Sequence, residues 1–375
     1  MSDPTPEIPP ELACPRCHAA LALAAGALAC RQHGAVANAT ADGVLEFDHS
    51  EQYWGEVDRD RMRRVLATAR AGGWRRALEE ELRPTHPHLV DYVHHAARAD
   101  WFVLLPLDRA RTVAVDVGAG WGANSLALAP HVARVYAVEK IAERIAFLGL
   151  RARQDRVSGV VPVRADLHAL PFAPESIDIV VVNGVLEWAG LVDPEPVGGR
   201  QRDPQLLQEE FLRALARLLR PGGWIYVGIE NRFGRMFWRG VPDHQGMRYT
   251  SLMPRPLARA CMALAAATSP RTYQAERDYR TYTYSYGGYR RLLERCGFRD
   301  VRRFAAIPGY NVPARLVPLE TPGPMLFLAQ RERSARRLRG AARRLVRSAF
   351  ASSGLEARLA SCFALVAQRA PEVPQ

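Results

Sequence analysis

Lysine is all but missing from this 375-residue chain: of its 51 basic residues, only Lys140 is not an arginine. Arginine at that level, with alanine abundant throughout, reads as a bias towards GC-rich codons. The formal net charge of +12 is therefore by itself a weak pointer to phosphate-rich partners such as nucleic acid. Long apolar runs are missing too, and no stretch approaches the roughly 18 uninterrupted apolar residues of a membrane-spanning helix. The opening "MSDPTPEIPPE" is acidic and proline-rich where a secretory signal would be basic and then apolar, so a cytoplasmic location is the expectation. Cysteine is sparse: Cys14, Cys17 and Cys30 lie close together, whereas Cys261, Cys296 and Cys362 are scattered singly, which is not a disulfide framework. The 48% apolar content supports a sizeable core, suited to one large domain of about 250 residues with a small appendage.

The clustered cysteines read as metal ligands. In "LACPRCHAALALAAGALACRQHG", Cys14 and Cys17 form one knuckle and Cys30 and His33 a second, separated by a hairpin-length spacer. Such spacing points three sulfurs and one imidazole at a single tetrahedral Zn²⁺, a closed and therefore structural site. His18 is a rival nitrogen, but its place directly after Cys17 would strain the ring of ligands. The following "GAVANATADGVLEF", with an Asp42-Gly43 turn, completes a zinc-ribbon-like segment over residues 1–48, in which the metal supplies most of the folding free energy.

Residues 49–107 form a helical connector. Asp58 caps "RDRMRRVLATARAGG", where Met62, Val65, Leu66 and Ala69 recur on one face and Gly72-Gly73 marks the stop. Tyr53, Trp54 and Trp74 could close over a ligand, although packing is the commoner role of such residues.

From residue 108 to 375 the pattern is that of a large α/β domain. "VAVDVGAGWGANSLALA" is a β-rich run, a glycine loop and a helix, which exposes backbone amides at a sharp turn and makes a cofactor cradle. Read from Gly118 it fits a dinucleotide fingerprint; read from Asp116 it fits the loop of S-adenosylmethionine (SAM) enzymes. The strand "RVYAVEK" then brings Glu139 to ribose-binding distance in sequence from Gly120, a feature both families share. "VVPVRADLHALPF" carries a strand to Asp166, "SIDIVVVNGVLEW" ends a buried strand at Asn183, and "LARLLRPGGWIYVGIEN" reads as helix, Pro-Gly-Gly turn and strand. Alternating strands and helices imply a parallel, doubly wound sheet with ligands beyond the strands' carboxyl ends.

From Val113 to Phe298, these motifs in this order resemble the class I SAM-dependent methyltransferases. The resemblance implies a Rossmann-like, mostly parallel seven-stranded sheet, here with an N-terminal zinc ribbon and helical insertions. It assigns Asp116, Gly118, Gly120 and Gly122 to the methionine end of SAM and Glu139 to its ribose. Asp166 would meet the adenine amino group with Leu167 beside the ring, and Asn183 would adjoin the methyl-transfer site.

Two insertions interrupt the pattern. Residues 231–285, rich in Tyr, Arg, Trp and His, make a lid suited to a polar substrate. Residues 310–360 carry the basic amphipathic helix "RERSARRLRGAARRLVRSAF", with eight arginines between Arg331 and Arg347, which could touch phosphate, anionic lipid or nucleic acid. The last strand is expected at Cys362–Arg369, with "MLFLAQ" as its rival.

A hydroxyl acceptor wants a general base. The candidates are Glu187, Glu230, Asp243 and His244, with His244 the preferred one; Trp188 stands where related small-molecule enzymes often have a histidine. The preferred function is methyl transfer to an O or N atom of a polar small molecule or sugar, in glycan or secondary-metabolite assembly. The alternative is methylation of an rRNA or tRNA base with the ribbon docking RNA, because a Cys/Cys/Cys/His ribbon ahead of such a domain resembles the ribosomal RNA guanine-N1 methyltransferases. A SAM-binding scaffold without turnover is a third possibility.

Overall fold

The computed structural model of the protein describes residues 8–196, 200–268, 279–331 and 337–371. Its strands are β1 Leu21–Ala24, β2 Ala27–Cys30, β3 Gly34–Ala39, β4 Leu45–Glu46, β5 Val113–Val117, β6 Arg134–Glu139, β7 Val160–Arg164, β8 Ile177–Asn183, β9 Leu219–Glu230, β10 Phe298–Ile307, β11 Arg315–Pro318 and β12 Cys362–Arg369. They fall in two compact units. One runs to Val182 and takes in Ala214–Ile225; the other comprises Asn183–Arg213 and Tyr226–Gln368.

In the first unit the strand order is β1-β2-β3-β4-β7-β6-β5-β8. β5 pairs in parallel with both β6 and β8, and β6 with β7. All five residues of β5 are buried, as the unbroken apolar character of a parallel strand covered on both faces demands. The ribbon is an antiparallel meander whose first hairpin turns at Ala25 and Gly26, both at positive φ, the geometry that matches the twist of the flanking strands. Its last strand then pairs in parallel with β7, Leu45 opposite Val163 and Glu46 opposite Arg164. Arg164, 6% exposed, bonds Glu46, the Ser50 carbonyl and the Lys140 carbonyl, which fastens the ribbon strand to the sheet.

The helix Arg59–Gly72 is capped by Asp58, whose carboxylate accepts from the Arg61 amide at 2.9 Å, and it buries Met62, Val65, Leu66 and Ala69. That stripe packs with Trp74, Leu78 and Trp121 in one apolar cluster. Trp74 is buried against Phe147, and the Tyr53 hydroxyl donates to the Val57 carbonyl at 2.7 Å; Trp54 is 49% exposed. Tyr53 and Trp74 are thus packing residues.

In the second unit the order is β9-β12-β10-β11, with β10 and β11 antiparallel. The last strand, Cys362–Arg369, lies where the sequence placed it, and the rival Met325–Gln330 is part of the helix Gly323–Arg331, which buries Met325 and Ala329 four residues apart.

Two expectations are corrected. The strands number twelve in a mixed arrangement, not seven, because the ribbon's four strands extend one edge and β11 folds back on β10. β9 also begins at Leu219, ahead of the expected Pro-Gly-Gly turn. Gly222 takes up positive φ within it, and a Cβ on Gly223 would come within 2.9 Å of the Arg220 carbonyl and 3.1 Å of that of Asp178. Residues 269–278 of the first insertion and 332–336 of the second lie outside the described residues. No helix among the described residues is long and apolar enough to cross a membrane.

Leu78 is fully buried in the connector cluster. Leu78→Ala should lower unfolding stability by about 2–5 kcal/mol, read from the shift of the urea midpoint at unchanged slope.

Candidate active site and metal centre

The structure brings Cys14, Cys17, Cys30 and His33 together in the first unit. Their ligand atoms lie within 4.8 Å of one another. His33 Nδ1 is 3.4 Å from Cys14 Sγ and 3.5 Å from the sulfurs of Cys17 and Cys30, and the latter two sulfurs are 3.6 Å apart. Tetrahedral zinc with bonds of roughly 2.0–2.3 Å would separate its donors by about 3.6–3.8 Å, so the set fits a zinc ion. The Gln32 amide, against the opposing push of burial and with help from His33, holds the Cys30 thiol down at about 6. His18 turns away at positive φ, its Nδ1 3.2 Å from the Phe172 carbonyl, and is not in the cluster.

The glycine loop follows β5. Gly118, Gly120 and Gly122 all have positive φ, and a Cβ at Gly122 would run into Leu148 and Leu126 at 2.7 and 2.8 Å. At Gly120 the nearest atom to such a Cβ is 3.9 Å away, so the loop is open on that side. Asp116, 1% exposed, accepts from the Ser125 hydroxyl at 2.5 Å and so ties the strand to the helix Ala123–Leu128; burial pushes its carboxyl up to about 6. Glu139 accepts from the Gly120 amide at 3.1 Å and the Ile141 amide at 2.9 Å. Asp166 pairs with Lys140 Nζ at 2.6 Å and accepts from the His168 amide; burial is outweighed by these bonds, and its carboxyl lies below the usual range. Leu167, beside it, is half-buried.

Two residues here were not singled out in the sequence. Lys140, the sole lysine, is one; its rarity was the only signal. Asn124 is the other: it is 7% exposed, and its Oδ1 has no hydrogen-bond partner. A buried acceptor without a donor beside an open glycine loop fits a ligand bearing amino and hydroxyl groups, as SAM does.

In the second unit, Glu187, Glu230 and His244 converge from three separate segments, their ligand atoms within 4.8 Å of one another. His244 Nε2 lies 3.0 Å from Glu230 Oε2 and 3.6 Å from Glu187 Oε1, and its ring meets the edge of Trp188 at 4.9 Å. The imidazole missing at position 188 thus arrives from the first insertion. Asp243 positions it: its carboxylate accepts from the amides of Gln245 and Met247 and from the Thr250 hydroxyl, which makes it a turn cap rather than a base. Glu230 ends β9, where its carbonyl accepts from the Tyr289 hydroxyl at 2.8 Å. Glu187 is completely buried with neither oxygen hydrogen-bonded. Burial, reinforced by Glu230, pushes its carboxyl up to about 8. Burial alone would lower the His244 imidazole, but Glu230 and Glu187 overcome it and raise it to about 9. Asn183, at the end of β8, is 8% exposed and has both amide atoms without partners, and Gly228 leaves room for its Oδ1.

Residues 115–227, from β5 into β9, match the methyltransferase-domain family. That stretch carries a methyltransferase domain. Solved structures similar to this chain include phosphoethanolamine N-methyltransferase 2 of Haemonchus contortus with SAM, at 14% identity over 72% of this chain and 51% of that one, TM-score 0.37. The chain thus spans about half the length of that enzyme. YcgJ of Bacillus subtilis matches at 13% identity over 74% of this chain and 100% of its own, TM-score 0.38. A chain from the complex of the Haloferax volcanii Trm112 methyltransferase activator with a methyltransferase matches at 15% identity over 82% and 97%, TM-score 0.37. No curated protein matches the sequence.

Two outcomes are expected. The purified protein should carry about one zinc per chain by elemental analysis, and Cys30→Ser should lose it together with part of the thermal stability. For Glu187, the folded-state value of about 8 stands above the ordinary 4.5. Its contribution to stability is therefore full below about 4.5 and is lost as pH rises through about 8. Melting curves of Glu187→Gln should gain on the wild type steadily from pH 5 to pH 8; a gap that is constant with pH would refute the assignment.

Proposed function

We propose that the protein transfers the methyl group of SAM to an O or N atom of a polar small molecule or sugar, with zinc held structurally by Cys14, Cys17, Cys30 and His33. SAM supplies an electrophilic methyl on a sulfonium. Asp116, Gly118, Gly120 and Gly122 shape the loop for its methionine end, with Asn124 as an added acceptor. Glu139 takes the ribose, and Asp166 with Leu167 takes the adenine. Asn183 offers a free amide to the bound molecules.

The observation that carries the acceptor side is the buried cluster of Glu187, Glu230 and His244. Burial and the nearby Glu230 favour the neutral form of Glu187, and Glu230 favours the protonated form of the His244 imidazole. Shedding the imidazole proton leaves His244 as a base hydrogen-bonded to nothing but the incoming hydroxyl or amine and Glu230. Glu187 is wholly enclosed beside that pair, 3.6 Å from His244 Nε2. An enclosed site of three side chains suits a small polar group held in line, where positioning and exclusion of water lower the barrier.

RNA methylation remains the second reading, favoured by the Cys₃His ribbon. Against it, that ribbon uses β4 to pair with β7, which gives it a structural role without a nucleic-acid partner.

Transfer of isotopic methyl from SAM to separated fractions of total RNA, nucleotide sugars and lipid-linked glycans tests the reading. Label is expected in a sugar or small-molecule fraction; label removed by RNase would overturn it. With the acceptor in hand, kcat/KM should rise with pH towards about 9. Glu230→Gln, which removes the charge that raises His244, should move that rise to lower pH, and His244→Ala should cost roughly 10²-fold or more.

A further inference from the structure

The chain's positive charge is not spread along it. Residues 231–285 and 310–360 together hold nineteen arginines and six acidic residues, whereas the rest of the chain holds 32 basic and 33 acidic ones. A codon bias enriches arginine everywhere; it does not explain why acids balance it everywhere except in these two insertions, both of which belong to the second unit.

The insertions are physically joined. The Asn231 amide donates to the Ser361 carbonyl at 2.9 Å, and its side chain donates to the carbonyls of Arg358 and Ala360 at 2.7 and 2.8 Å. Glu356, 2% exposed, holds Arg235 of the first insertion at 2.6 Å and Arg347 of the second at 3.0 Å. One of the few acids present is therefore enclosed between arginines rather than offered to solvent.

The same segments expose apolar side chains. Among the described residues, ten of the fifteen large apolar side chains left exposed lie in the two insertions. They include Trp238 at 60%, Leu264 at 67%, Phe327 at 54%, Leu345 at 75% and Val346 at 55% exposure. Isolated exposed apolar residues are ordinary, but a concentration of them on a cationic body marks an interaction surface.

We propose that the described residues of the two insertions form a surface that docks on an anionic lipid bilayer. Arginines supply attraction to anionic headgroups, and the exposed leucine, valine, phenylalanine and tryptophan side chains enter the boundary between headgroups and acyl chains. Aliphatic side chains such as Leu345 and Val346 gain nothing from a phosphate backbone, which is why the lipid surface fits better than RNA. The contact is peripheral.

The full chain would be floated with vesicles of phosphatidylcholine alone and of phosphatidylcholine with phosphatidylglycerol, at low and high salt, beside a total-RNA binding assay. The expected result is binding to the phosphatidylglycerol vesicles only, weakened by salt and reduced about tenfold or more in R343E/R344E. In L345S/F350S the loss should be seen on vesicles and not on RNA, a split that a purely electrostatic surface would not produce. Unchanged melting temperature and SAM binding in both variants would show that they remain folded. Absence of binding to anionic vesicles would overturn the proposal, as would tighter binding to RNA than to vesicles.

Discussion

A carboxyl group withdrawn from water must be hydrogen-bonded, paired with a cation or kept neutral, and five carboxyl groups in β-strands or within a few residues beyond them face that constraint here. Three meet the demand locally. Asp116 takes the Ser125 hydroxyl, Glu139 takes the amides of Gly120 and Ile141, and Asp166 takes Lys140 and the His168 amide. Each bond also fixes a stretch of backbone, so the glycine loop and the chain after β7 are held by these carboxylates. The other two behave differently. Glu230 is satisfied by an imidazole from a distant insertion, and Glu187 is left with no hydrogen bond, its carboxyl pushed towards the neutral form by burial.

The ribbon depends on the same strand ends. Arg164 closes β7, one residue before the turn to Asp166, and reaches Glu46, Ser50 and Lys140 together. Lys140 in turn holds Asp166. The cluster of Cys14, Cys17, Cys30 and His33 is thereby linked, through a two-residue strand, to the sheet edge that carries Asp166.

Much of this was legible from local pattern. A helix cap, an apolar stripe and a glycine loop act over a few residues, and so Asp58, Met62, Val65, Leu66 and Ala69 stand where their spacing put them, as does the last strand at Cys362–Arg369. The two knuckles of Cys14, Cys17, Cys30 and His33 were readable because a hairpin of fixed length brings them together. The strand count was not. Edge strands join a sheet through backbone hydrogen bonds, which leave almost no trace in side-chain identity, and this hid the pairing of β4 with β7.

The sequence by itself determined the local features of this chain: strand, loop and helix around Asp116, the alternation that makes a parallel sheet, and the Cys/His knuckles of the ribbon. Only the tertiary structure decided which distant groups share a site. Glu187, Glu230 and His244 were three separate candidates until the fold enclosed them together, and His18 was a rival ligand until its backbone turned it towards Phe172. Propensity and spacing act along the chain, whereas a protonation state, an orphaned carboxyl or a shared arginine surface depends on distance through space.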